Sequence, residues 1–259
     1  MSFSHNHRSR PGIFACALAL FASPLFCAAQ TPAAAPVDAG LAQVKNVITQ
    51  MRAPMRSVPL NVVVEALTGH KVLPFNPGNP KHAAVLRRLN AAAASVIAKV
   101  KARGGISSKR VNEVGNTIEQ YVRAALTEQG LPATVPAGEK TGKARVAGYP
   151  DIAFSFNGEN FYLDCKTHDK TTANSSQRSF YLSPTDDPKI SCDAVHLILS
   201  FETARDGASG AYQLASYKIV SIEKLTLDLK YEFNSDNRRM YSGKNGAEIL
   251  AGTACEAGE

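Results

Sequence analysis

With 259 residues, the chain is long enough for one good hydrophobic core, or for one domain with an appended subdomain. Its 44% hydrophobic and 20% charged residues exclude a chain disordered throughout. A net charge of +7 suits a polyanionic partner, while 7% aromatics and no tryptophan argue against a broad aromatic platform for stacked bases.

The first segment has the pattern of an export signal. Arg8 and Arg10 form a basic head, the run from Ile13 to Phe26 is almost wholly apolar, and Cys27-Ala28-Ala29 offers a small-residue cleavage site. The apolar run is interrupted by Pro24 and is too short for a persuasive membrane span. The competing readings are a buried N-terminal helix, or a true start at Met51 or Met55. Loss of residues 1–29 removes two arginines and no acid, which lowers the net charge from +7 to +5. It leaves Cys165, Cys192 and Cys255, which cannot all pair within one chain and have no zinc spacing. The mature protein is then expected outside the cytoplasm, periplasmic or secreted and without a membrane anchor. Without cleavage it is expected in the cytoplasm.

Residues 30–40 are rich in Ala and Pro and are expected to be a flexible spacer. A helical N-terminal region spans 41–105. Leu41 to Met51 carries helical spacing, Leu60 to Leu67 is a second apolar stretch, and Val72 to Pro80 is a Pro/Gly/Asn loop. His82 to Lys101 predicts a strong helix with Val85, Leu89, Ala92, Val96 and Val100 on one face, stopped by Gly104-Gly105. His70 and His82 are isolated and are expected to be loop or surface histidines.

Ser107 or Ser108 is positioned to cap a helix that reaches about Gln129 before Gly130 and Pro132. Its stripe is Val111, Val114, Ile118, Val122, Ala125 and Leu126, with Glu119 at the margin and Glu113 on the polar face. Ala133 to Gly148, with Lys140, Lys143 and Arg145 among glycines, predicts a mobile basic loop.

Asn157-Gly158 then separates two alternating runs, the strongest local signal for a two-residue hairpin. Folding about it pairs Phe156 with Glu159, Phe154 with Phe161 and Ile152 with Leu163, and sets Asp151 opposite Asp164. One face carries Ile152, Phe154, Phe156, Phe161, Leu163 and Cys165, a core face. The other carries Asp151, Asp164 and Lys166. Two carboxylates set opposite each other repel, and a hard divalent cation between them relieves the repulsion. The plain alternative is a solvated outer face of an edge hairpin.

After the hairpin, Thr167 to Ser179 is polar and Phe180 to Pro188 reads as a loop. Ala194 to Phe201 reads as a buried strand with His196 a satisfied core histidine, and Tyr212–Ile222 and Lys224–Phe233 read as two further strands. Residues 242–259 are a small, polar tail. The order helix, hairpin, strand, strand predicts an α/β (α+β) domain with a central mixed sheet flanked by helices.

Pro150-Asp151, a spacer, and Asp164-Cys165-Lys166 resemble the signature of the PD-(D/E)xK nuclease superfamily, and of type II restriction endonucleases within it. The likeness covers Ser107 to Tyr241 and makes residues 106–241 the expected catalytic core. The segment from Leu229 to Tyr241 resembles a C-terminal strand and polar turn found in some of these enzymes. The resemblance implies a restriction-endonuclease-like fold and Mg²⁺-dependent hydrolysis of DNA phosphodiesters. Asp151, Asp164 and the backbone carbonyl of Cys165 would hold one or two Mg²⁺, with Glu119 as a further acid and Glu113 in reserve, while Lys166 would orient the attacking water. Lys170, Arg178, Arg238 and Arg239 are the expected phosphate contacts. The expected partner is double-stranded DNA, and a homodimer is allowed. Two other readings compete: an exported, non-enzymatic module binding nucleic acid or an acidic surface, and a metal-independent phosphodiesterase using His168 beside Lys166.

Overall fold

A computed structural model describes residues 36–241 apart from 54, 109–110, 170–174 and 177, together with 247, 248 and 250; side chains of 36–39 and 111–113 are also left aside. The expected export signal, most of the 242–259 tail, Lys170 and the Glu113 side chain lie outside the described residues. The chain divides into two compact units, 1–50 and 51–259. The first holds helix α1 (Pro36–Gln50), so the helix starts inside the stretch expected to be spacer.

In the second unit the elements run β1 (Val58–Pro59), α2 (Leu60–Thr68), β2 (Val72–Leu73), α3 (Pro80–Ala102), α4 (Val111–Glu128), β3 (Ile152–Phe156), β4 (Glu159–Asp169), β5 (Ala194–Arg205), β6 (Tyr212–Ser221), β7 (Thr226–Leu227) and α5 (Asn237–Tyr241). Five strands form one mixed sheet. β3 and β4 are antiparallel, β4 and β5 parallel, β5 and β6 antiparallel, and β2 lies parallel to the start of β5. Among the described residues no helix is long and apolar enough to cross a membrane.

The hairpin has the register expected from its turn. Ile152 pairs with Leu163, Phe154 with Phe161 and Phe156 with Glu159. Asn157 and Gly158 both take positive φ, 49° and 80°, which matches the right-handed twist of the flanking strands. The tip is held from outside by the start of α3. Asn79 caps that helix by accepting from the Lys81 amide at 2.9 Å, and Pro80 occupies its first position. Lys81 Nζ donates to the Asn157 carbonyl and lies 3.2 Å from Glu159. His82 Nε2 meets Glu159 Oε2 at 2.9 Å, while His82 Nδ1 accepts from the Asn76 amide and the ring stacks on Phe75. His82 is therefore a buried structural residue and not a surface histidine. Its place on the same stripe as Val85 and Leu89 carries it inward.

The sheet is buried on both faces. Against one face lie α3 and α4, whose stripes (Val85, Leu89, Val96 and Val114, Ile118, Val122) meet Phe154, Phe161, Leu163, Cys165, Leu197 and Leu199 in one continuous core. The opposite face is covered by Leu60 and Val64 of α2 and by Tyr149, Ile190 and Ile222, which surround Tyr162 and Ala194. The face carrying Asp164 is thus a second interior, not a solvated one.

Two expected elements differ. The Val72–Pro80 loop begins with the short strand β2, whose partner Ala194–Val195 lies far along the chain. The expected strand over Lys224–Phe233 shrinks to Thr226–Leu227, because among the described residues it forms a ladder only with the two-residue β1. Beyond Asp228 no neighbouring strand receives the alternating pattern, and Phe233 is left 76% exposed.

Candidate active site

β3 and β4 bring their polar ends together at the open end of the hairpin. The ladder stops at Ile152–Leu163, so the next amide on that edge of β4, that of Cys165, has no β3 carbonyl to meet. Asp151 fills the gap, its Oδ2 accepting from the Cys165 amide at 2.8 Å. In an extended strand a residue's N–H and C=O point to the same side. The Cys165 carbonyl therefore faces the edge that Asp151 occupies. The Cys165 side chain turns the other way, into the α3/α4 core, where burial pushes its thiol well up from its ordinary range.

Asp164 is 1% exposed. Its carboxyl is pushed up to about 7, first by burial and then by the charge of Asp151, with Lys166 pulling the other way. Lys166 Nζ lies 2.5 Å from Asp164 Oδ2. The contact is an ion pair, and among the described residues Oδ2 has no other partner. Glu119, half-buried on α4, is also raised, by burial first and by Asp151 second, with Arg123, Lys189 and Lys166 opposing. The three expected strand residues thus meet at one edge, and the helix acid stands within electrostatic reach of Asp151.

Three residues around this edge lay outside the sequence reading as site residues. Lys189 is 2% exposed and its Nζ donates to the carbonyls of Arg145 and Val146 at 3.1 and 3.4 Å. Burial lowers its pKa, while Asp151, Asp164 and Glu119 raise it. Tyr149 and His196 form a buried pair at 2.6 Å between phenol oxygen and Nδ1. Burial drives the histidine down to about 4, so it is neutral; it lies in the core as expected but is not fully satisfied, because its Nε2 has no partner among the described residues.

The loop before β3, expected to be mobile, is tied down by Asp187. The Asp187 carboxylate accepts from the Lys140 amide at 2.8 Å and the Thr141 hydroxyl at 2.7 Å, and its carbonyl accepts from Arg145 at 2.8 Å. At Gly138 a Cβ would meet that carboxylate, so any larger residue there would displace the Asp187 side chain.

Of the expected phosphate contacts, Arg178 lies 4.2 Å over the Tyr181 ring and 3.8 Å from Glu232. Arg238 and Arg239 sit on the short, exposed α5, with Arg239 4.0 Å from Asp236. His168 Nδ1 is 3.0 Å from the Ser200 hydroxyl. Among the described residues no three His, Cys, Asp or Glu side chains converge as a closed metal cage. The donors present are hard oxygens: the Asp151 and Asp164 carboxylates and the Cys165 carbonyl. That set fits a cation which keeps waters and takes substrate phosphate oxygens in its remaining positions.

A mixed sheet with helices on its faces is a restriction-endonuclease-like fold, and its hairpin brings Asp151, Asp164 and Lys166 to its open end. A model of the type II restriction enzyme MjaV family matches residues 53–244. The type II restriction enzyme MjaV of Methanocaldococcus jannaschii is 33% identical over 214 residues, which cover 77% of this chain and 91% of that protein. The chain belongs to the type II restriction enzyme MjaV family.

Proposed function

We propose that the chain is a Mg²⁺-dependent endonuclease that hydrolyses phosphodiester bonds of double-stranded DNA. Family membership supports DNA cleavage. The observation that carries the metal dependence is Asp164, a buried carboxylate raised to about 7 beside a second carboxylate even with Lys166 at 2.5 Å, its Oδ2 having no other partner among the described residues. Such a group stays costly to ionise until a second cation joins Lys166 beside it.

Asp151, Asp164 and the Cys165 carbonyl would hold the ion, with Glu119 reaching it through water or directly. When bound, Mg²⁺ polarises the scissile phosphate and makes a bound water a stronger nucleophile. The residues of the chain do the rest. The Cys165 amide fixes one oxygen of Asp151, so that the other is free to face the ion. Lys166, anchored beside Asp164, orients the attacking water and neutralises charge developing on the phosphate. Lys189, held by two main-chain carbonyls, adds a fixed positive charge behind the carboxylates. Arg178, Arg238, Arg239 and Lys170 contribute salt-dependent contacts to the DNA backbone.

The test is incubation of the protein with supercoiled plasmid, with Mg²⁺ or with EDTA. Discrete fragments appearing only with Mg²⁺ support the proposal and indicate a recognition sequence. Cleavage that persists in EDTA overturns the metal dependence.

A further inference from the structure

A cavity of about 340 Å³ opens between the segment that leads into β3 and the segment that precedes β5. Its floor is Tyr149, Lys189 and Ile190, all buried, and its mouth includes Arg145, Tyr181 and Ser183. Two of the floor residues belong equally to the catalytic edge. Tyr149 lies two positions before Asp151, and Tyr149 and Ile190 pack in one cluster with Tyr162, which lies two positions before Asp164. The cavity therefore lies within two residues of Asp151 along the chain, close to the edge proposed to hold the scissile phosphate.

Size and chemistry select its occupant. A cube of 340 Å³ is about 7 Å on a side, whereas the major groove of B-DNA alone is about 12 Å wide, so a duplex cannot enter. A single base can. The floor offers an apolar, aromatic surface, and Tyr181 presents a ring that is 53% exposed and backed by the Arg178 guanidinium at 4.2 Å. Arg145 spends one guanidinium edge on the Asp187 carbonyl and keeps further donors for a base edge or an adjoining phosphate.

We propose that this cavity is a nucleotide subsite, which takes one unstacked base of the DNA substrate next to the phosphate being cut, with Tyr181 as its stacking surface and Arg145 as its polar contact. The proposal rests on the nuclease reading above and deepens it. A base leaves the stack most easily where it is already mispaired, so a mismatch at the right position strengthens binding.

The experiment first maps the cut made in plasmid DNA by the wild-type protein with Mg²⁺. Duplexes carrying that sequence, with a single mismatch scanned across the positions flanking the cut, are then bound to Asp164→Asn, which holds DNA without cutting it. One mismatch position is expected to bind tenfold or more tighter than the matched duplex. Adding Ser183→Trp, which fills the mouth, makes the two duplexes bind alike. Tyr181→Ala has the same effect and serves if the tryptophan disturbs the loop. Cleavage by the wild type with equal binding of every mismatch overturns the subsite and leaves the nuclease standing. A preference that survives both variants places the base elsewhere and also overturns it. Binding of free deoxynucleoside monophosphates with no mismatch preference assigns the cavity to free nucleotides, against the proposal. Absence of any cleavage removes the nuclease reading itself, and the subsite falls with it.

Discussion

The carboxylate of Asp151 takes the amide hydrogen of Cys165 at the point where β3 runs out, so that a side chain continues the ladder for one more rung. This single bond fixes Asp151 next to Asp164 without a β-strand to hold it. It also directs the crowding of charge that the following predictions exploit.

Asp164 makes stability depend on pH in an unusual direction. Its folded pKa of about 7 lies above the usual carboxyl value of about 4. Below both values it is protonated in either state and contributes nothing. Between them the unfolded chain ionises and the folded one does not, so stability falls as pH rises, and the full penalty is present above about 7. Asp164→Asn, which never ionises, is expected to be more stable than wild type at pH 8 without metal, by up to roughly 4 kcal/mol, and equal to it near pH 4. Thermal denaturation in EDTA at both pH values checks this; parallel curves for the two proteins would contradict it.

Lys166 is expected to act on rate more than on binding. Lys166→Ala should lower single-turnover cleavage by about 10²–10³-fold while leaving affinity for a short duplex within a few-fold. A loss of affinity as large as the loss of rate would assign the lysine to DNA binding instead.

Tyr149→Phe removes the only partner of His196 Nδ1 that the described residues supply, and Nε2 already has none. The buried imidazole is then unsatisfied at both nitrogens, a cost of about 1–3 kcal/mol. Urea denaturation at neutral pH measures it, and an unchanged midpoint would mean that water replaces the phenol.

Gly158→Ala isolates the turn. The added Cβ meets nothing within 4 Å, so the whole effect is the backbone conformation at φ 80°. A loss of about 1 kcal/mol is expected in urea denaturation with cleavage retained. A larger loss would show that the turn shifts the hairpin register.

What the sequence made legible was local. The register of the hairpin followed from Asn157-Gly158 and the alternation beside it, and the stripes of α3 and α4 followed from their periodicity. That Asp164 is interior was not legible, because its cover comes from Leu60, Val64 and Ile190, residues remote in sequence with no shared pattern. Lys189 escaped for the same reason: its partners are main-chain carbonyls, which leave no trace in residue identity. His82 was misplaced because a histidine on an apolar stripe declares its burial only once Phe75 and Glu159 are seen around it.

The most direct test of the central claim is calorimetric titration of the protein with Mg²⁺ at pH 7, repeated in buffers of different ionisation enthalpy. If Asp151 and Asp164 hold the ion, binding releases up to one proton from Asp164, and both the binding and the release disappear in Asp164→Asn. Equal Mg²⁺ binding by wild type and by the doubly substituted Asp151→Asn, Asp164→Asn protein would contradict it.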